Sequence, residues 1–227
     1  MSMPLPVTGM PLPVTGMPLP VTIDIGPAVH QGAGLSRYTE RLVATLVAQQ
    51  PDLELALFYN SHSHHQPPTS LAGIPVSTVQ MGQYNWRLQA FGSQMSGRIM
   101  KQVASKVPAG GIYHATEHLL PKLPCPTIMT VHDLIFERYP QHHTWRNVQF
   151  LRAAMPRFVS AASAIIAISK RTRDDLIEFY KTPAEKIHVI YEGIDERFHP
   201  ASDAEIARVK AAYSPDRPWL LMVGTLE

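Results

Sequence analysis

The 227-residue sequence predicts an α/β protein: a Rossmann-like, doubly wound, mainly parallel sheet with helices on both faces. Short β-branched runs alternate with longer helical ones from Val21 onward. Several of the short runs, such as 164–168, are apolar throughout, as strands covered on both faces must be. Glycine and ionisable residues cluster directly after these runs, where open parallel sheets hold their ligands.

Taken in chain order, the sequence opens on a repeat. MPLPVTG occupies 3–9, recurs at 10–16, and returns without its glycine at 17–22. Two prolines per copy exclude a helix, and a signal peptide would need a basic start and a continuous apolar stretch. Residues 1–16 are therefore expected to form a mobile leader. Strands are expected at 22–26, 53–59, 75–79, 112–115, 127–131, 164–168, 188–191 and 219–223. Helices are expected at 35–50, 85–107, 145–161, 170–181 and 203–212. Ser169 stands at the N-cap of helix 170–181, with Asp174 and Asp175 near the positive end of its dipole and Pro183 to stop it. The stretch 60–70 (NSHSHHQPPTS) reads as a surface loop with solvated histidines, and His142 and His143 read as surface too. In helix 85–107, Leu88, Phe91, Met95, Ile99 and Val103 form one stripe, with Arg87, Arg98, Lys101 and Lys106 elsewhere. That stripe is expected to face the core. The second reading is a basic amphipathic helix in peripheral contact with a membrane.

Composition bounds the function. Twenty Lys+Arg against 18 Asp+Glu give a net charge of +2, which argues against a nucleic-acid partner. The single cysteine, Cys125, cannot form an internal disulfide, so a reducing, cytoplasmic setting is expected, with the inner membrane face as the alternative. No apolar run is long enough to span a bilayer.

Three loops carry candidate chemistry. After the first strand, Gly32, Ala33, Gly34, Ser36, Arg37 and Tyr38 lead into a helix whose free N–H groups suit an anion. The third glycine of the dinucleotide fingerprint is missing, and a plain strand-to-helix turn remains open for this loop alone. After strand 127–131 come His132 and Asp133. A histidine there suits proton transfer, although neighbours on a strand point apart, which weakens a His132–Asp133 dyad. His132 as a merely satisfied polar residue is the alternative. After strand 112–115, His114, Glu117 and His118 spell the His-x-x-Glu-His of inverted zinc peptidases. That motif works only on a helix, and this one follows a strand and precedes Pro121 and Pro124, so no metal site is expected.

In order, these loops resemble the family-4 glycosyltransferases of GT-B fold. The resemblance rests on Gly34-Leu35-Ser36-Arg37-Tyr38, on Thr130-Val131-His132-Asp133-Leu134 with Tyr139-Pro140, and on 165–170. Further along it rests on 185–191 leading to Gly193-Ile194-Asp195 and Phe198-His199-Pro200, and on 220–227. Two positions depart from the family pattern: Ser36 replaces a glycine, and Glu192 replaces an asparagine.

The resemblance implies the N-terminal half of a GT-B enzyme. Residues 17–200 would be its acceptor-side domain, and 201–227 a linker helix and first strand of a donor-binding domain that is otherwise missing. It implies retaining transfer of a sugar from a nucleotide-diphosphate-sugar donor to a sugar, polysaccharide or lipid-linked acceptor, with no cofactor or metal. His132 takes the catalytic, sugar-facing role, and the loop at Gly32, Ala33, Gly34 and Ser36 faces the diphosphate. Arg37, Tyr38, Glu117, His118, Asp133, Ser169 and Glu192 are the acceptor and cleft candidates. Without the other half the chain is expected to be inactive. A non-catalytic glycan- or partner-binding module is the rival reading, with a nucleotide-cofactor oxidoreductase behind it. Residues 218–227 are expected to be disordered or paired outside the first sheet.

Overall fold

A computed structural model of the protein describes residues 19–30, 33–195, 198–213, 220 and 222. The repeats at 1–16, Gly32, and the strand expected at 219–223 (Leu220 and Met222 apart) lie outside the described residues.

Seven strands form one parallel sheet: β1 (Val21–Asp24), β2 (Leu55–Asn60), β3 (Val76–Val79), β4 (Ile112–Ala115), β5 (Thr127–Val131), β6 (Ala164–Ala167) and β7 (Ile187–Val189). Their order is β3-β2-β1-β4-β5-β6-β7, every pairing parallel. The helices are α1 (Gly26–Val29), α2 (Ala33–Gln49), α3 (Gln83–Ser96), α4 (Lys101–Ala104), α5 (Ile135–Arg138), α6 (Trp145–Ala161), α7 (Lys170–Tyr180) and α8 (Asp203–Tyr213). The expected α/β, Rossmann-like parallel sheet is the observed one.

Both faces of the sheet are covered. Leu57 and Tyr59 pack with Ile23 and Val43, whereas Phe58 between them packs with Trp86, Tyr113 and Phe158. Successive strand residues point to opposite faces, so β2 is sandwiched between two apolar layers. This explains why the strand sequences read as continuous apolar runs.

Helix 85–107 is not one helix. Gly97 turns into the left-handed region (φ 68°) and ends α3, and α4 resumes only at Lys101. A glycine there is the usual left-handed C-cap. The apolar stripe faces the core only in part: Phe91 packs against it and Val103 is buried, but Leu88, Met95 and Ile99 are exposed, while α3 buries Trp86, Ala90 and Ser93. The reason is contact with α6, where Ala90 and Trp86 join a core built on Phe158 and Met155. Ser93 is tolerated because its hydroxyl donates to the Ala90 carbonyl and accepts the Lys122 N–H.

At α7 the Ser169 hydroxyl accepts the Thr172 N–H at 3.0 Å, the expected N-cap. No acidic residue lies in the first turn, however. Asp175 instead takes Arg138 at 2.6 Å and Arg171 at 3.1 Å, an ion-pair role rather than a dipole one.

By its contacts the chain divides between Glu192 and Gly193 into two compact units. In the second, Ser202 and Glu205 cap α8 reciprocally: the Ser202 N–H donates to Glu205 at 2.9 Å, and the Glu205 N–H donates back at 3.3 Å. No described helix is long and apolar enough to cross a membrane.

A Cβ at Gly97 would meet no atom within 4 Å, so its cost is conformational alone. Gly97→Ala is expected to destabilise the protein by about 1 kcal/mol in urea unfolding. An unchanged midpoint would mean that the left-handed cap is dispensable.

Candidate functional site

The sheet order reverses at β1, where chain connections leave in opposite directions and open a crevice beyond the carboxyl ends of β1 and β4. A cavity of about 400 Å³ lies there. Its walls come from segments following β1, β2, β4 and β5, and from the first turns of α3 and α6.

Asp24, the last residue of β1, is 3% exposed. Its carboxylate accepts the Gly26 N–H at 2.9 Å and the Tyr113 hydroxyl at 2.8 Å. Its carbonyl accepts the Thr116 hydroxyl at 2.6 Å. Burial pushes the Asp24 carboxyl up to about 6, against the two hydrogen bonds that favour the charged form. Burial and the charge of Asp24 push the Tyr113 hydroxyl up as well.

A Cβ on Gly26 would lie 3.1 Å from Asp24 Oδ1 and 3.8 Å from Glu117 Oε1. The missing side chain therefore leaves room for the Asp24 carboxylate, whereas the Glu117 oxygen is at ordinary contact distance. Burial and the nearby Asp24 push the Glu117 carboxyl up to about 7, with Arg87 acting the other way. Arg87 Nη2 donates to Asn147 at 2.7 Å, and the guanidinium lies 4.2 Å from the centre of the Phe150 ring.

His132, at the end of β5, is 9% exposed. Its Nε2 donates to the Thr116 carbonyl at 3.0 Å, which assigns a hydrogen to that nitrogen because a carbonyl only accepts. Nδ1 faces Glu192 Oε1 at 3.2 Å. The Tyr38 ring stands edge-on to the imidazole, with centroids 4.8 Å apart, and the Tyr38 hydroxyl lies 3.3 Å from Thr130 Oγ1. From the other side, His114 Nε2 reaches the same Thr130 hydroxyl at 2.8 Å, and burial pushes this imidazole down to about 4. Thr172 donates to the His132 carbonyl at 2.9 Å, linking the Ser169 cap to the base of the histidine.

The structure thus places Glu117, His118, His132 and Asp133 on the cavity wall, with Tyr38 and Glu192 against His132. No dyad joins His132 and Asp133: the Asp133 carboxylate accepts the Ile135 N–H at 3.0 Å, and Glu192 is the partner of the histidine. His118 lines the cavity, pushed down to about 4 chiefly by burial. Ala33 opens α2, Gly34 is exposed, and Ser36 turns its hydroxyl 3.4 Å from the Ala28 carbonyl. Arg37 is exposed, and Ser169 is spent on its cap. His114 lies within β4 and Glu117 and His118 in the loop after it, so the His-x-x-Glu-His string does not share a helical face.

Several wall residues escaped the sequence reading. Asp24 carries a visible signal, a carboxylate ending the apolar run of the first strand. Trp86, Arg87 and Asn147 carry none, because only the packing of α3 on α6 brings them to the cavity. His62 is not solvated as expected. Its ring lies against His30, centroids 3.8 Å apart and planes tilted by 38°, and both line the cavity. His30 is held by the Asn60 carbonyl at 2.8 Å and by Ser63 Oγ at 3.0 Å. Asn60 is buried as well, clamped to Met81 through both ends of its amide.

A parallel sheet in this order, with its polar side chains collected at the switch point, defines the Rossmann-like class of ligand-binding domain. A sequence model of Glycosyltransferase Family 4 matches residues 32–198, and the chain belongs to that family. The resemblance to a family-4 glycosyltransferase of GT-B fold, drawn from the loops, therefore holds. The Escherichia coli O-antigen chain mannosyltransferase B is 23% identical over 211 residues, covering 88% of this chain and 54% of the mannosyltransferase. Among solved structures, the chain is similar to Anabaena HepE in complex with UDP (TM-score 0.47, 16% identity, 86% of this chain and 49% of that one). It is also similar to the apo form of the lipopolysaccharide outer core galactosyltransferase WaaB (TM-score 0.46, 12% identity, 80% and 50%). The chain spans about half the length of each of these proteins.

Glu117 yields a pH-dependent prediction. A carboxyl raised in the folded state stabilises fully below its unfolded value of 4.5 and loses that contribution as pH rises through about 7. Glu117→Gln removes the loss. At about pH 8 the variant is expected to be more stable than the parent by about 1–2 kcal/mol, a gain that vanishes towards pH 4.5. Urea unfolding at both pH values checks this, and equal stability at the higher pH would show that Glu117 remains hydrated.

Proposed function

We propose that this chain furnishes the acceptor side of a retaining glycosyltransferase. The enzyme would move a sugar from a nucleotide-diphosphate-sugar to a sugar, polysaccharide or lipid-linked acceptor. The observation behind this reading is the family membership of residues 32–198 together with a cavity at the sheet's switch point whose lining includes carboxylates and imidazoles. Acceptors would enter that cavity. The diphosphate would lie towards the start of α2, where Gly34 leaves open space and backbone N–H groups face out. His132 would sit beside the reacting sugar, its ring oriented by the Thr116 carbonyl and its outer nitrogen backed by Glu192.

The leaving diphosphate gains charge in the transition state and needs preorganised donors and cations around it. The cavity of this domain is poor in cations: among the described residues that line it, Arg87 is the one lysine or arginine. A second, donor-binding domain would supply the rest, in keeping with relatives about twice the length of this chain. Residues 1–227 alone would then hold an acceptor but turn over no donor.

Purified chain incubated with UDP- and GDP-hexoses and hexoside acceptors is expected to release no nucleoside diphosphate above the blank. Joined to a donor-binding domain it is expected to release it, with product of the donor's anomeric configuration by NMR. His132→Ala in the joined protein is expected to lower kcat by about 10²-fold. Release by residues 1–227 alone would overturn the division of labour, inversion would overturn the retaining mechanism, and no transfer in either form would overturn the transferase reading.

A further inference from the structure

The cavity wall holds more polar groups than the fold uses. Asp24 accepts two hydrogen bonds, His30 engages both ring nitrogens, and Asn60 both ends of its amide. Three other side chains on the same wall stand apart. His62 Nδ1 and His118 Nε2 are buried with no hydrogen-bond partner. The Glu117 carboxylate has charged neighbours but no hydrogen bond among the described residues. A buried polar group left unpaired costs about 1–3 kcal/mol, so native folds rarely keep several in one place without use.

Resting on the acceptor-side reading above, we propose that this cavity seats one uncharged sugar unit of the acceptor, recognised through its hydroxyl groups, and rejects units bearing carboxylate or phosphate. Hydroxyls both donate and accept, so they match an imidazole nitrogen in either tautomer and donate to Glu117. Among the lining residues, Asp24, Glu117 and Asp133 set three carboxylates against the one guanidinium of Arg87. That guanidinium is already placed by Asn147 and Phe150. A further anion would meet like charge without a free counter-ion. Trp86, Leu119 and Leu151 add apolar surface to the lining, suited to the C–H face of a sugar ring. At about 400 Å³ the cavity is near the small end for ligand sites, room for one ring rather than a chain segment.

The test uses the 227-residue chain without donor, so it does not depend on turnover. Ligand-observed saturation-transfer NMR and competition titration would compare neutral methyl hexosides (the α-mannoside, β-galactoside and β-glucoside) with glucuronic acid and glucose 6-phosphate. At least one neutral glycoside is expected to bind in the millimolar range, with the two anionic sugars about tenfold weaker or undetectable. Glu117→Ala and His118→Ala are each expected to weaken that binding by about tenfold, while Lys101→Ala, outside the cavity, leaves it unchanged. Circular dichroism of each variant confirms folding, and Glu117→Gln, which keeps an acceptor oxygen, should bind better than Glu117→Ala. Anionic sugars binding as tightly as neutral ones would overturn the proposal, as would binding indifferent to both wall substitutions, or no neutral glycoside binding at all. A chain that passes this test while the joined protein transfers no sugar would retain the neutral-sugar site and lose the transferase reading.

Discussion

One short hydrogen bond joins the two loops on which the site is built. The Thr116 hydroxyl donates to the Asp24 carbonyl at 2.6 Å, spanning the point where the connections after β1 and β4 part. A parallel sheet leaves its strand-end carbonyls and amides unpaired where the order reverses, and they need partners from side chains or ligands. Thr116 meets that need on one side with its hydroxyl, and its own carbonyl then receives His132. On the other side the Asp24 carboxylate gathers Gly26 and the Tyr113 hydroxyl. Residues from three strands are thereby held in one arrangement before any ligand arrives, which is the preorganisation that binding and transfer both require.

The electrostatics follow from that geometry. Keeping Asp24 and Glu117 on either side of Gly26 in a half-dry crevice raises both carboxyls towards neutral pH, and the same dryness lowers His114 and His118. Three carboxylates beside imidazoles that resist protonation make a wall with little positive charge but dense hydrogen-bonding capacity. The crevice suits polar, uncharged matter better than a bare phosphate. A carboxylate–imidazole contact joins His132 and Glu192 at 3.2 Å beside these groups.

Sequence patterns located the seven described strands and most described helices because burial on both faces forces unbroken apolar runs. The strands β4 and β5 and the helix α6 fall where those runs begin and end. The pattern misled at α3. There, the stripe through Leu88 and Met95 is the more hydrophobic face, yet contact with α6 chose the face of Trp86, Ala90 and Ser93. Small residues permit close helix approach, and Ser93 is accommodated by two local hydrogen bonds that no periodicity reveals. The His62 placement failed for a similar reason. Its loop composition is that of solvent-exposed chain, but ring contact with His30 draws it into the wall.

What the sequence alone determined was the sheet and the strand ends at which chemistry must sit, since both follow from local apolar patterning and the direction of parallel strands. It also determined several of the side chains that stand at those ends: Glu117, His118 and His132. Which of them meet was decided by tertiary structure. The pairing of His132 with Glu192 spans sixty residues, and that of Tyr113 with Asp24 spans eighty-nine. The arrival of Arg87 and Asn147 at the cavity depends on how two helices pack. Contacts of that range leave no trace in local sequence, because they are set by the register of β1 with β4 and by the crossing of α3 and α6.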